Sequence, residues 1–447
     1  MRDLLVTAIV VGTLPFVLRH AWIGVMLWTW LSVMNPHRLT WGFAFDTPFA
    51  AMAAGATLLA LFTSKDSVRL PKSGAMYALI AFIVWMCGTT VFAMFPGESL
   101  EQLNKVLKIQ LMTLVALAVL HERKHIQMFV WINVLSIGFY GVKGGLYTLM
   151  TGGGGTVWGP PGGFAEGNNE IGLAMLVTIP MMYYLRLTTA HKWVRRGLVA
   201  AMLLSAVAVL GTQSRGAFLA IVAMGFVLWL RSPAHKFASA VAILLTGGLL
   251  FAFMPDSWHE RMGTIRTYEE DSSAMGRINA WETALNIAND RPTGAGFAMY
   301  EKYVFAIYAP NPVEKRATDP SIVRAAHSIY FQVLGEHGWI GLAIFLGIWW
   351  LVLRDANRLR AMTRGDPEFE WIYLLAGMSQ VALIGFAVGG AFLSLAYFDL
   401  PYNLLVVLVV TQRWLAARLG ERGREVPHGG AIRRDAGTPT PLSPEPR

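Results

Sequence analysis

The chain has 447 residues, of which 55% are hydrophobic and 15% charged, with a mean hydropathy of +0.46. This excludes an ordinary water-soluble domain, in which roughly a quarter of residues are charged. A net charge of +9 does not point to a nucleic-acid partner, because the basic residues fall in short clusters between apolar runs and in the tail, as in cytoplasmic membrane loops. The one cysteine, Cys87, leaves no intramolecular disulfide and no cysteine-based metal site.

From the N-terminus, MRDLLVTAIVVGTLPFVLRHAW lacks a basic n-region and a small-residue cleavage site, so it is expected to be retained. Pro15, Arg19 and His20 then divide the stretch from Leu4 to Met34 into halves, readable as two tilted helices or as one crossing with a re-entrant part. Apolar runs follow at 48–63, 74–95, 105–120, 126–149, 171–187, 197–212, 216–230, 237–253, 338–353, 372–394 and 400–416. Several are short for a span and must extend into flanking semi-polar sequence. The fold expected is all-α and polytopic, with about twelve transmembrane helices.

Basic clusters at Lys65, Arg69 and Lys72, at Arg123 and Lys124, at Lys192, Arg195 and Arg196, at Arg231 and Lys236, and from Arg354 to Arg364 occupy every second connection. Those connections are expected in the cytoplasm and the alternate ones outside. Residues 151–170, on the outside, contain no lysine or arginine. The expected organisation is N-terminal transmembrane helices over 1–253, a large external loop over 254–327, C-terminal transmembrane helices over 328–417 and a Pro-rich disordered tail over 418–447.

A loop as long as 254–327 is a functional candidate. Within it RINAWETALNIAND has helical patterning, with Ile278, Trp281, Leu285 and Ile287 roughly on one side, which predicts an ordered helix lying against the membrane. Arg261, Arg266, Arg277, Arg291 and Arg324 are interspersed with acidic residues, and the first lysine is Lys302. Mixed charge usually marks a solvated surface, but arginine is the better clamp for pyrophosphate.

Arg215, in GTQSRGAFLA, lies at the outer end of a span with no acidic neighbour in sequence, which makes it either a phosphate ligand or a group that snorkels or pairs at a distance. His327, opening HSIYFQVLGEHGWIG, stands at the outer interface, where an imidazole is either a general base or a hydrogen-bonded structural group. Lys143 either snorkels or adds charge to the same outer pocket. Asp399 opens a helix before Pro401 and reads first as a cap. The glycine stretch from 151 lacks a Walker lysine and reads as a flexible cover, ending in Glu166, Asn168, Asn169 and Glu170, which suit a helix cap or a hydroxyl-rich ligand. Neither an acidic DxD nor a closely spaced pair of external histidines is present, so no metal site is expected.

HSIYFQVLGEHGWIG resembles the His, Asn or Ser, nine residues, GxxG pattern of bacterial O-antigen ligases and related polysaccharide polymerases. TQSRGAFLA resembles that family's SRG segment, and RINAWETALNIANDRPTGAGF its Arg, Trp, then Pro- and Gly-rich signature. NPHRLTWGFAFDTPFA and GNNEIGLAMLVTIPM look like the subgroup of O-glycosylation ligases associated with exosortase systems. The family often has Asn after the His, where this chain has Ser328.

The resemblance covers roughly residues 70–415. It implies a GT-C-like, inverting, metal-independent glycosyltransferase of the inner membrane, acting on the periplasmic side without a cofactor. The donor would be a glycan on undecaprenyl pyrophosphate and the acceptor the lipid A core, with no obligate protein partner. By position, His327 would be the general base and Arg215 and Arg277 the pyrophosphate ligands, with His337 as a second candidate base. Two rival readings within the family are a polymerase and a protein O-oligosaccharyltransferase. A transporter of lipids or lipid-linked glycans is the rival of another class, but no internal repeat supports it.

Overall fold

A computed structural model describes residues 1–231, 236–263, 272–310, 323 and 325–425. The described residues are helical and contain no strand. In chain order the helices are α1 (Arg2–Arg19), α2 (Ala21–Met34), α3 (Phe49–Thr63), α4 (Gly74–Val91), α5 (Pro96–Val119), α6 (Arg123–Met150), α7 (Asn168–Thr188), α8 (Lys192–Gly211), α9 (Arg215–Arg231) and α10 (Lys236–Phe253). The long connection carries α11 (Asp256–Gly263), α12 (Ser272–Asp290) and α13 (Lys302–Tyr308), and the chain returns through α14 (Ile329–Thr363), α15 (Glu370–Gly390) and α16 (Asp399–Glu425).

Eight of these, α4 to α8 and α14 to α16, are long and apolar enough to cross a bilayer; α2, α3 and most of α9 are shorter apolar helices. The stretch 4–34 forms two helices, divided where His20 turns extended (φ −141°, ψ 105°). Pro15 lies inside α1 without ending it. α16 continues past the boundary drawn at 418, because Arg418 and Arg422 bond Asp366, Glu368 and Glu421. The rest of the tail, 426–447, lies outside the described residues.

Small residues bring the helices close. A Cβ on Gly141 of α6 would stand 2.0 Å from Ser205 Oγ of α8, and one on Gly145 2.2 Å from the Leu204 carbonyl oxygen, so α6 and α8 meet backbone to backbone as membrane helices do at small-residue faces. Gly389 does the same for α15 against α7, where a Cβ would meet Leu173 at 2.5 Å.

The long connection is built onto the bundle. Trp258 of α11 is 1% exposed and donates its indole N–H to the Leu210 carbonyl at 3.2 Å, at the end of α8. The buried face of α12 is Ala280, Thr283, Ala284, Ile287 and Ala288, while Ile278, Trp281 and Leu285 are only partly covered. The face is small-residue because α12 packs on the first turns of α14, where Gly335 admits Ala284 and Met299. The buried face of the helix therefore lies against protein and is not the one the large apolar residues mark.

α14 is broken at Gly338 (φ 68°, ψ −173°). Residues 294–296 dock into the break: the amides of Ala295 and Gly296 donate to the carbonyls of Gly335 and Glu336 at 2.9 and 3.0 Å. Side chains are excluded on both sides, since a Cβ at Gly338 would lie 2.1 Å from the Pro292 carbonyl oxygen and one at Gly294 2.6 Å from the Glu336 carbonyl carbon. Two of the signature motifs, PTGAGF and GEHG, are thus halves of one joint.

Candidate functional site

At one end of the bundle two helix starts meet. The α8–α9 turn is tight because Gln213 takes a left-handed conformation (φ 55°). Ser214 then caps α9, its Oγ accepting the Ala217 N–H at 3.2 Å, which satisfies a donor that every helix start leaves open. Arg215 is therefore the first residue of α9. The start of α7 is fastened to the same turn by Asn168, whose amide donates to the Thr212 carbonyl at 2.8 Å.

Between these starts is a pocket with about 460 Å³ of open space, lined by Asn169, Gln213, Ser214, Arg215, Gly216, Arg277 and Phe392. Arg277 comes from α12 and Phe392 from the segment after α15. Two guanidinium groups and the positive ends of two helix dipoles face one space, which is the electrostatic requirement of an oxyanion site. Glu170, in the first turn of α7, lies within the field of Arg277 and limits the net positive charge there. Gly216 lets the pocket wall close, since a Cβ there would lie 3.0 Å from Phe392 Cβ.

His327 is half-buried and left-handed (φ 43°), a conformation uncommon for a residue with a side chain. It is held by the two elements that also build the pocket. Its backbone N–H donates to Ser394 Oγ at 3.1 Å, two residues past Phe392. The preceding Ala326 carbonyl accepts the Trp281 indole N–H at 2.6 Å, one helical turn after Arg277. Trp281 stacks in turn on Phe331 at 5.0 Å. His327 adjoins the pocket but is not among the side chains that line it.

The O-antigen ligase family matches residues 200–346, which contain Arg215, Arg277 and His327. Over that stretch the chain is similar to the O-antigen ligase family. A family of unknown function (DUF5935) matches residues 1–191, which supply Asn169 to the pocket. No curated protein matches the chain.

The remaining candidates separate from this site. His337, inside the same stretch, is fully buried: Thr89 Oγ1 lies 2.7 Å from its Nδ1, and Phe297 and Phe82 pack edge-on at 4.7 and 6.0 Å. Its carbonyl accepts the Trp85 indole N–H at 2.9 Å. Arg291 donates to the carbonyls of Gly294 at 3.1 Å and Phe92 at 2.8 Å, so it braces the 291–294 turn and caps the end of α4. Lys143 is exposed on α6 and does not line the pocket. Asp399 is buried and accepts a hydrogen bond from Ser32 of α2, tying α2 to α16. Arg266 and Arg324 lie outside the described residues. The glycine stretch from 151 is laced into place, with the Val157 amide donating to the Gly211 carbonyl and that of Gly159 to the Glu166 carbonyl, so it is a built wall and not the loose cover expected.

Sequence reasoning passed over Glu336 and Tyr397, both buried and hydrogen-bonded to each other. The signal was present, because a carboxylate inside an apolar run is a functional candidate by default. Among the described residues no three His, Cys, Asp or Glu side chains group as metal ligands would.

Proposed function

We propose that the protein is an O-antigen ligase: an inverting, metal-independent glycosyltransferase of the inner membrane that moves a glycan from undecaprenyl pyrophosphate to a lipid A core hydroxyl on the periplasmic side. The observation that carries the reading is the pocket in which Arg215 and Arg277 meet at two helix starts, beside the segment that holds His327. The basic clusters at the opposite helix ends support a periplasmic pocket. About twelve crossings in a GT-C-like bundle fit the same reading, with α1 and α2 together crossing once.

In this reaction His327 removes the proton from the acceptor hydroxyl as its oxygen attacks the anomeric carbon. The bond from that carbon to the pyrophosphate oxygen breaks on the opposite face, and the electron pair leaves with the lipid pyrophosphate. Arg215 and Arg277 stabilise the departing charge, a role for which a fixed guanidinium fork is suited.

The test incubates purified protein with lipid-linked glycan and, separately, lipid A core, a second donor or a serine-containing peptide. Transfer to lipid A core is expected, and it falls by about 10²–10⁴-fold in His327→Ala. Product on donor alone makes the protein a polymerase, and product on peptide alone a protein O-oligosaccharyltransferase. Glycan transfer in none of the three, with lipid movement retained, makes it a transporter.

A further inference from the structure

Glu336 is 2% exposed, and both of its carboxyl oxygens are engaged by neutral donors. The Tyr397 hydroxyl bonds Oε2, and the Gln332 amide lies 3.4 Å from Oε1. Burying a carboxyl among neutral partners costs more stability than an apolar side chain of that size would. Its retention therefore needs a reason, and nothing in the reaction above uses it.

The geometry supplies one. Gln332 Oε1 accepts the Ala396 N–H at 3.3 Å, so Gln332 and Glu336, one turn apart on the short outer part of α14, grip consecutive residues of the 394–398 segment. The same segment presents Ser394, whose Oγ receives the His327 N–H. Tyr402 closes the far side, its hydroxyl donating to the Ala396 carbonyl at 2.9 Å. Below Glu336 the joint at Gly338 fixes the helix itself, with the Glu336 carbonyl accepting from Gly296. His327 is thereby suspended between Ser394 and the Trp281-bonded Ala326, in a left-handed conformation that its surroundings must enforce.

We propose that Glu336, through Tyr397 and Gln332, is a positioning residue that locks the 394–398 segment on α14 and so sets the place of the His327 backbone. The consequence for catalysis rests on the ligase reading, but the positioning does not, and the two are measured separately.

Hydrogen–deuterium exchange on the purified full chain reads positioning without any substrate. In Glu336→Ala the peptides covering 325–330 and 391–398 are expected to exchange at least tenfold faster, while the α8–α9 turn is unchanged. Glu336→Gln keeps the volume and one acceptor, which takes the Tyr397 hydroxyl, and is expected to restore protection in both peptides. Tyr397→Phe, which removes one bond and little volume, is expected to fall between them. In the transfer assay Glu336→Ala is expected to lower kcat by about 10²-fold, the usual cost of a misplaced catalytic group, with KM for the lipid-linked donor within twofold, and Glu336→Gln to recover to within about fivefold. Wild-type exchange in the Glu336→Ala and Tyr397→Phe proteins overturns the proposal, as does Glu336→Gln behaving like Glu336→Ala. Absence of transfer by the wild-type chain rejects the ligase reading alone, because the exchange result stands by itself.

Discussion

His327 and His337 flank the short first part of α14, and their surroundings differ in nearly every respect. His327 is half-buried and left-handed, and its backbone N–H is tied to the segment that carries Phe392. His337 is enclosed, bonded to Thr89 and ringed by Phe82, Phe297 and Tyr397. A general base must reach its substrate and exchange its proton; a sealed imidazole does neither, but it secures the packing of the helix break. Proximity in sequence therefore says little about a histidine's use, and access to the polar pocket says much.

The sharpest break of this contrast is a pair of substitutions. His327→Ala is expected to reduce transfer by about 10²–10⁴-fold with the melting temperature unchanged. His337→Ala is expected to lower stability by about 2–4 kcal/mol, through a lost buried hydrogen bond and a cavity, and to retain transfer below its melting temperature. Scanning fluorimetry beside the transfer assay separates them, and interchange of the two phenotypes reverses the assignment.

Next in size, Gly338→Ala forces a side chain into a left-handed position and against the Pro292 carbonyl oxygen, for an expected loss of about 3 kcal/mol. A melting temperature equal to wild type would mean that the joint is not as tight as drawn. Smaller again is the arginine comparison. Arg215→Lys and Arg277→Lys are expected to raise KM for the lipid-linked donor by roughly tenfold, because an ammonium cannot make the forked contact. Arg291→Lys, at a side chain that braces backbone carbonyls away from the pocket, is expected to leave that KM unchanged.

The smallest effect lies at the opposite end of the bundle. The hydrogen bond from Arg422 holds the Asp366 carboxyl below the usual aspartate range. A carboxyl lowered in the folded state contributes stability above its unfolded value, and that contribution is lost as pH falls through the folded value. A slight drop in melting temperature is expected below about pH 4, absent in Asp366→Asn; solvent around the partly exposed pair keeps it small.

Much of this was legible in the sequence because the solvent writes it there. Each apolar run from 48 onward falls on a helix, since hydrocarbon demands helix, but the helices over 105–120, 338–353 and 400–416 run well beyond them into polar sequence. Arg215 stood out because an arginine at a helix end beside an apolar span is costly without a ligand or partner, whereas Arg277 was singled out among the loop arginines only by the family resemblance. Arg291 was misread because a guanidinium that caps a helix and one that meets substrate look alike until the fold places them. The face of α12 was misread for a related reason: alanines pack against a glycine in another helix, and large apolar residues stay half-exposed. Glu336 depends on Tyr397 and Gln332, a triad that no local pattern links.

The break at Gly338 also has a mechanical meaning. Below it, α14 is a long helix whose tilt answers to bilayer thickness; above it, a two-turn block is pinned by 294–296 and by the 394–398 segment. The joint therefore fastens the block to the 294–296 and 394–398 segments, not to the long part of the helix alone, and a change of tilt beneath the break would meet those fastenings before it reached His327.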